Sequence, residues 1–267
     1  LDKSNVQIYD NLNYRHWDTW EDGQYSHVFL KKIDIEEGEP IDIMEGEVFD
    51  CPLKPFGGAE DYIWNLDGSQ ILYVAKKEYG TNYAKSTNTD IYSYDLKSNS
   101  TVNLTKDNQG YDTNPSFSKE GDLAWLQMDE PGYEADKNDI IVLKDGLKIN
   151  LTEDWDGTVN SFVWSNDGKK IFFNAPVDGT VQIFEVSADN TVKPLVKQIT
   201  TGTFNINGLI GQADSKMVVT KTDMNHASEI YLVDLFNGTM NQLSHVNDEA
   251  YSSIKLSKIE KRWIPTT

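Results

Sequence analysis

The chain has 267 residues, 30 of them Tyr, Trp or Phe, which is enough to bury a large core as one domain or two. With 24 basic against 43 acidic side chains the formal charge is −19, which argues against a nucleic-acid partner, whose phosphates require a basic footprint, and against attraction to anionic membranes. Cys51 is the sole cysteine, so an intrachain disulfide framework and a thiolate metal cluster are both excluded, and no run of 18 apolar residues is present to span a membrane.

The first ten residues, LDKSNVQIYD, lack the basic-then-apolar pattern of a signal peptide. Because the chain begins at Leu1 and not at Met, a processed export signal stays open. Residues 1–27 interleave aromatic and charged side chains, with a turn expected at Glu21-Asp22-Gly23 between short strands. Trp17 and Trp20 offer rigid indole faces to a sugar, a peptide or a partner domain, as against packing on the neighbouring unit. From His27 the chain reads HVFLKKIDI, is expected to turn at Glu36-Glu37-Gly38, and returns through PIDIM at 40–44. Residues 14–46 therefore read as a partial unit, and 47–58, with Pro52, Pro55 and Gly57-Gly58, as a connection.

A repeated sentence then begins. Residues 62–74 read YIWNLDGSQILYV, 115–125 PSFSKEGDLAW, 160–175 NSFVWSNDGKKIFFNA and 206–219 INGLIGQADSKMVV. Each is a strand, a tight turn with an acidic residue beside Gly or Ser, and a second strand. The turns stand at 68, 121, 168 and 215, in steps of 53, 47 and 47 residues. A second hairpin follows each: 90–105, 139–152, 182–200 and 229–244 alternate apolar and polar residues, break at a Gly, Asn or Ser turn, and close on an apolar residue followed by Thr or Ser.

Two hairpins per repeat give four antiparallel strands, and an isolated sheet of that kind leaves a bulky face wet. Radial stacking of such units is the expected solution. The sequence thus predicts an all-β chain, a β-propeller of four-stranded antiparallel blades at about 59–105, 112–152, 159–200 and 205–244, partial or five-bladed as covered by this chain. A β-sandwich or an open solenoid is the alternative. Within the repeats, residues 76–89 form a polar insertion and 127–138 an acidic and aromatic one, where Glu130, Tyr133, Glu134 and Asp136 surround Pro131-Gly132. Loops of that kind are where binding concentrates. After Ser244, residues 252–256 offer one more extended piece.

Chemistry is sparse. No Gly-x-Ser-x-Gly occurs, and His16, His27, His226 and His245 accompany no strained serine turn, so no catalytic residue is assigned. No His-Glu-x-x-His, twelve-residue calcium loop, phosphate-binding loop or dinucleotide fingerprint is present, so neither metal nor cofactor is expected. Helical periodicity is absent throughout.

The hairpins with Trp or Phe, Ser, Asp-Gly and Ile-x-Phe or Ile-x-Tyr resemble the repeats of TolB-like propellers and of prolyl oligopeptidase-family propellers. More specific are YRHWDTWEDG at 14–23, Ser26-His27-Val28-Phe29, PGYEADK at 131–137, and the tail VNDEAYSSIKLSKIEKRWIPTT at 246–267. These look like the propeller portion of a bacterial dipeptidyl or acylaminoacyl peptidase of that family. The resemblance implies a partner α/β-hydrolase domain of the same protein carrying a Ser, Asp and His triad, with 252–267 as the junction leading to it. It implies short peptides as substrates, more blades before Leu1, and an exported or periplasmic location ahead of a cytoplasmic one. Some family members hold the substrate's amino terminus with paired glutamates in an Asp-Trp-x-Tyr-Glu-Glu pattern, which is absent here. Glu134, with Tyr133 and Asp136, is the candidate on physical grounds. Trp17, Trp20 and Trp263 are the interface candidates. The alternative is a TolB-like protein-binding propeller without enzymatic activity.

Overall fold

A computed structural model describes residues 4–10, 12–33, 38–189, 191 and 193–266. The structure is nearly all-β, and its sheets are antiparallel apart from isolated parallel contacts between successive repeats. The chain divides into two compact units, Leu1–Phe117 with Leu123–Lys137, and Ser118–Asp122 with Asn138–Thr267.

The first unit starts with two minimal hairpins, β1 (Arg15–His16) with β2 (Thr19–Trp20), and β3 (Phe29–Leu30) with β4 (Ile41–Asp42). The first of these turns at Trp17-Asp18, with Trp17 at φ 50°, and the expected turn at Glu21-Asp22-Gly23 follows it as a bend between β2 and β3, where Gly23 takes φ 83° and Asp22 accepts the Gln24 amide at 2.9 Å. Glu36 and Glu37 of the turn expected at Glu36-Glu37-Gly38 lie outside the described residues. A four-stranded sheet follows in the order β5 (Tyr62–Trp64), β6 (Gln70–Ala75), β7 (Asp90–Asp95), β8 (Ser100–Asn103), with a short helix α1 (Thr81–Lys85) between β6 and β7. The hairpin β9 (Asp112–Phe117) and β10 (Leu123–Gln127) closes this unit.

The β5–β6 turn shows why the sequence folds this way locally. The Asp67 carboxylate accepts the Ser69 amide at 2.9 Å, Gly68 takes φ 70°, and the Gly68 amide reaches the Asn65 carbonyl at 3.2 Å. Period-2 alternation then places Ile71, Tyr73 and Ala75 of β6 with Tyr92 and Tyr94 of β7 in one buried cluster with Val28, Met44 and Cys51.

The second unit contains the hairpin β11 (Asp139–Lys144) and β12 (Leu147–Asn150). Beyond it β13 (Ser161–Trp164), β14 (Lys170–Val177), β15 (Thr180–Ser187) and β16 (Lys197–Gln198) pair in order, as do β17 (Asn205–Ala213), β18 (Lys216–Thr222), β19 (Glu229–Asp234) and β20 (Met240–Gln242). A single parallel pair, Val181 with Asn205, joins the two sets. Phe172, Ile183, Met217, Val219 and Val233 form the shared core. The extended piece expected at 252–256 is instead the end of a short helix, α2 (Asp248–Ser252), followed by chain without strand to 266. Asp248 and Glu249 in its first turn suit a helix start, and five residues are too few to register as helical periodicity.

One arrangement recurs at four places. The Thr105 hydroxyl accepts the Ile91 amide at 3.0 Å and donates to the Asp90 carboxylate at 3.2 Å. Thr152 does the same for Ile140 and Asp139, at 3.0 and 2.6 Å. Thr200 serves Ile183 and Gln182, at 2.9 and 2.8 Å. Ser244 accepts the Ile230 amide at 2.8 Å and donates to Glu229. The repeated apolar-then-hydroxyl ending of the sequence is this clasp, which ties the end of each second hairpin to the strand where that hairpin began.

Thr105 is fully buried. Thr105→Val keeps its shape but strands the Ile91 amide, and is expected to cost about 1–3 kcal/mol in chemical denaturation; Ser244→Ala, at a half-exposed clasp, should cost less.

Asp112 is also fully buried, with its carboxyl bonded by the Trp125 indole at 2.7 Å and Asn108 at 3.0 Å. Burial pushes that carboxyl up to about 7 against those two donors, and burial likewise takes Asp61 up to about 6. A carboxyl whose folded value lies above its unfolded one binds more protons when folded, so its stabilising contribution is complete below about pH 4 and lost as pH rises through about 7. Asp112→Asn is expected to flatten the fall in unfolding free energy between about pH 4 and 7, by on the order of a few kcal/mol, whatever its constant offset.

Candidate ligand-binding cavity

The described residues of the first unit enclose a cavity of about 680 Å³ with three walls. The first is the β1–β2 hairpin and its approach. Its rings sort to two sides: Tyr9, Tyr14 and Trp20 lie 5.4–6.1 Å apart by centroid, while His16 stacks on Trp17 at 5.1 Å and meets Phe56 edge-on at 5.6 Å. Arg15 lies 5.4 Å from the Trp20 ring centre.

The second wall is the connection through Phe49, Asp50, Lys54 and Phe56. Lys54 Nζ stands 3.1 Å from Glu21 and 3.3 Å from Asp50, whose Oδ1 also accepts the Ser26 amide at 2.7 Å. Burial pulls the Lys54 ammonium down, but Glu21 and Asp50 outweigh it and hold it above its usual range. This ionic clamp fastens the hairpin to the connection.

The third wall is the β6–β7 insertion with Glu78, Tyr79 and Tyr83. Tyr79 packs edge-on against buried Phe49 at 4.9 Å. Burial, reinforced by Asp50 and Glu21, pushes the Tyr83 phenol up, so it stays protonated and neutral. Lys76 is tied to the Ser86 carbonyl at 2.5 Å and lies 4.8 Å from the Tyr83 ring centre. Burial pulls Lys76 down, opposed by Glu78 and Glu134.

Of the substrate-binding and interface candidates named from sequence, only Trp17 lines the cavity, at 78% exposure, though the motif at 14–23 also brings Tyr14, Arg15, His16 and Glu21 to it. Trp20 supports the wall from outside. Glu134 and Tyr133 are exposed on the β10–β11 insertion. Asp136 shapes that loop, accepting the amides of Asp129 at 2.9 Å and Glu130 at 2.7 Å. Burial pushes the Asp136 carboxyl up, yet the amides of Glu130, Lys137 and Asp129 together hold it below the carboxylate range. Gly132 of the same loop donates to Thr87 at 2.9 Å, which brings the insertion beside the β6–β7 loop. Trp263 is exposed in the second unit, with Lys261 Nζ 4.8 Å from its ring centre. Glu78, Tyr79, Tyr83, Phe56 and the Lys54 clamp were not singled out. The spacing of Tyr79 and Tyr83, one helical turn apart in a polar insertion, was the available signal.

A second cavity, about 470 Å³ in the second unit, is lined by Asp223, His226, Glu229 and Tyr251 among others. Its polar groups satisfy one another: His226 Nδ1 lies 2.9 Å from Asp223, the Ala227 amide donates to the Tyr251 hydroxyl at 2.5 Å, and Ser244 with Asn247 holds Glu229 below its usual range. Among the described residues no cluster fit to hold a metal occurs, and no helix is long and apolar enough to cross a membrane.

The fold is that of a β-propeller. The acylaminoacyl peptidase of Pyrococcus horikoshii superposes with a TM-score of 0.54 at 21% identity, over 73% of this chain and 28% of that one. A putative TolB from Agrobacterium tumefaciens gives 0.51 at 21% identity, over 68% and 63%. No family model matches the chain. Dipeptidyl-peptidase 5 of Porphyromonas gingivalis is 33% identical over 273 residues, taking in 100% of this chain and 39% of that protein. Along its whole length the chain is thus similar to one part of a dipeptidyl-peptidase, and its fold is the one shared by an acylaminoacyl peptidase and a putative TolB. The chain spans about two fifths of the length of that curated relative.

The clamp makes a direct prediction. Lys54→Met is expected to free the β1–β2 hairpin, speeding tryptic cleavage after Arg15 several-fold with the far-ultraviolet spectrum unchanged, whereas Lys54→Arg should restore protection.

Proposed function

We propose that this chain is the non-catalytic propeller segment of a serine exopeptidase, gating and orienting short peptides for an α/β-hydrolase domain elsewhere in the same protein. The observation that carries the reading is the end-to-end match to a dipeptidyl-peptidase of which this chain is only 39%. In this reading the repeats at about 59–105, 112–152, 159–200 and 205–244 are four-stranded blades, and 252–267 leads to the hydrolase. Peptide bonds are cleaved there by serine attack and an acyl-enzyme intermediate. The propeller admits extended peptides and excludes folded proteins by size. Trp17, Trp20 and Trp263, all exposed, are the residues offered to the neighbouring domain.

Glu134 is the group proposed to meet the peptide's free amino terminus, with Tyr133 beside it and Asp136 fixing the loop. Its exposed carboxylate sits on a loop braced by the two amide bonds to Asp136 and by Thr87. A TolB-like protein-binding propeller is the second reading, favoured only by the likeness of fold.

The full-length protein should hydrolyse dipeptidyl anilides while residues 1–267 alone do not; absence of turnover by the full-length protein sinks the peptidase reading. Glu134→Ala should raise KM about fivefold or more for peptides with a free amino terminus and leave blocked ones unchanged. Equal effects on both would remove Glu134 from the site.

A further inference from the structure

The first-unit cavity is walled by aromatic faces, and its charges are unevenly balanced. Both cations on its lining are already engaged: Lys54 is held between Glu21 and Asp50, and Arg15 lies over Trp20. Two lining carboxylates, Asp10 and Glu78, form no ion pair among the described residues. Asp10 is exposed at the rim, whereas Glu78 is half-buried on the insertion that also supplies Tyr79 and Tyr83. Lys76, whose ammonium Glu78 helps to hold charged, forms no ion pair with that carboxylate and is bonded instead to the Ser86 carbonyl, 4.8 Å from the Tyr83 ring centre. The Tyr83 phenol, kept neutral by burial and by Asp50 and Glu21, adds a ring face without adding charge.

Aromatic faces attract a cation through their quadrupoles, and desolvation strengthens the attraction. A carboxylate beside them adds charge complementarity. A neutral apolar side chain would be tolerated by the rings but would leave Glu78 half-buried and unpaired, whereas an alkylammonium on an aliphatic stem satisfies both. We propose that this cavity, bounded by Trp17, Phe56, Tyr79, Tyr83 and Glu78, is a subsite for the basic side chain of a peptide, with Glu78 as its counter-charge. The proposal rests on the reading of the chain as a peptide-orienting propeller and names what part of the peptide this cavity selects. It is separate from the Glu134 loop, since the group bound is a side chain and not the amino terminus.

The test uses full-length protein and two blocked probes, N-acetyl-lysine methylamide and N-acetyl-norleucine methylamide, titrated by ligand-observed NMR. Blocking removes the amino-terminal charge, and the pair differs only in the ammonium. The lysine probe is expected to bind about fivefold or more tightly than the norleucine probe. Glu78→Gln should bring the two within about twofold, and Trp17→Ala, at an exposed ring, should weaken both. Equal affinity in the wild type, no detectable binding of either probe, or a preference untouched by Glu78→Gln each overturns the subsite. Because binding is read without turnover, failure of the peptidase reading appears separately, as a full-length protein that cleaves no peptide.

Discussion

A single hydroxyl at the end of each second hairpin is the constraint on which the strand geometry depends. It accepts a backbone amide of the strand that opened the hairpin and donates to the side-chain carboxylate or amide of the residue just before it. Without it a backbone amide would lack its partner and the neighbouring side chain would lose one of its hydrogen bonds, a deficit of the order of a whole hydrogen bond for the amide. With it, Asp90, Asp139, Gln182 and Glu229 are all tolerated below 9% exposure. The acceptor varies between acid and amide while the hydroxyl does not, because only the hydroxyl must both accept and donate.

The same network explains what could be read from residues alone. The hairpins were legible because their turn chemistry is local: Asp67-Gly68 and Asp167-Gly168 encode their own geometry through an acceptor side chain and a positive φ. The terminal hydroxyls were visible as a pattern, although their bonding was not. The β1–β4 region was less legible, since its strands are two residues long and no alternation can declare them. The turn at Trp17-Asp18 carries no glycine and gave no signal, whereas Gly23, at φ 83°, marked the bend between β2 and β3. After Ser244, a single helical turn, held by Tyr251 and Asn247 to the β18–β19 loop and to Glu229, runs into the stretch read as extended at 252–256, which forms no strand.

The cavity was the least legible feature for a different reason. Its walls come from three segments, around 9–25, 48–56 and 78–83, and each alone reads as a rim, a connection or a polar insertion. What joins the first two is an ion pair between Lys54 and Glu21, 33 positions apart in sequence, a separation at which no periodicity speaks. Glu134, chosen because its neighbours looked dense in charge, proved to belong to a loop organised by Asp136 and set beside the cavity's third wall. Its charge still reaches that wall through Lys76.

Backbone pairing across the seams between repeats is slight: one parallel pair joins Thr89 with Tyr111, and another joins Val181 with Asn205, the rest of the latter seam being apolar packing of Phe172 and Ile183 on Met217 and Val219 and bonds such as that from Asn174 to the Ile206 carbonyl. The clasps, in contrast, close entirely within a repeat. A change of whole repeats therefore remakes one backbone pairing and the apolar packing beside it, while a cut inside a second hairpin would orphan a hydroxyl and its two partners. Lineages built on this plan should differ in length by whole repeats, with their smaller insertions confined to stretches such as 76–89 and 127–138, where the cavity wall and the acidic loop reside.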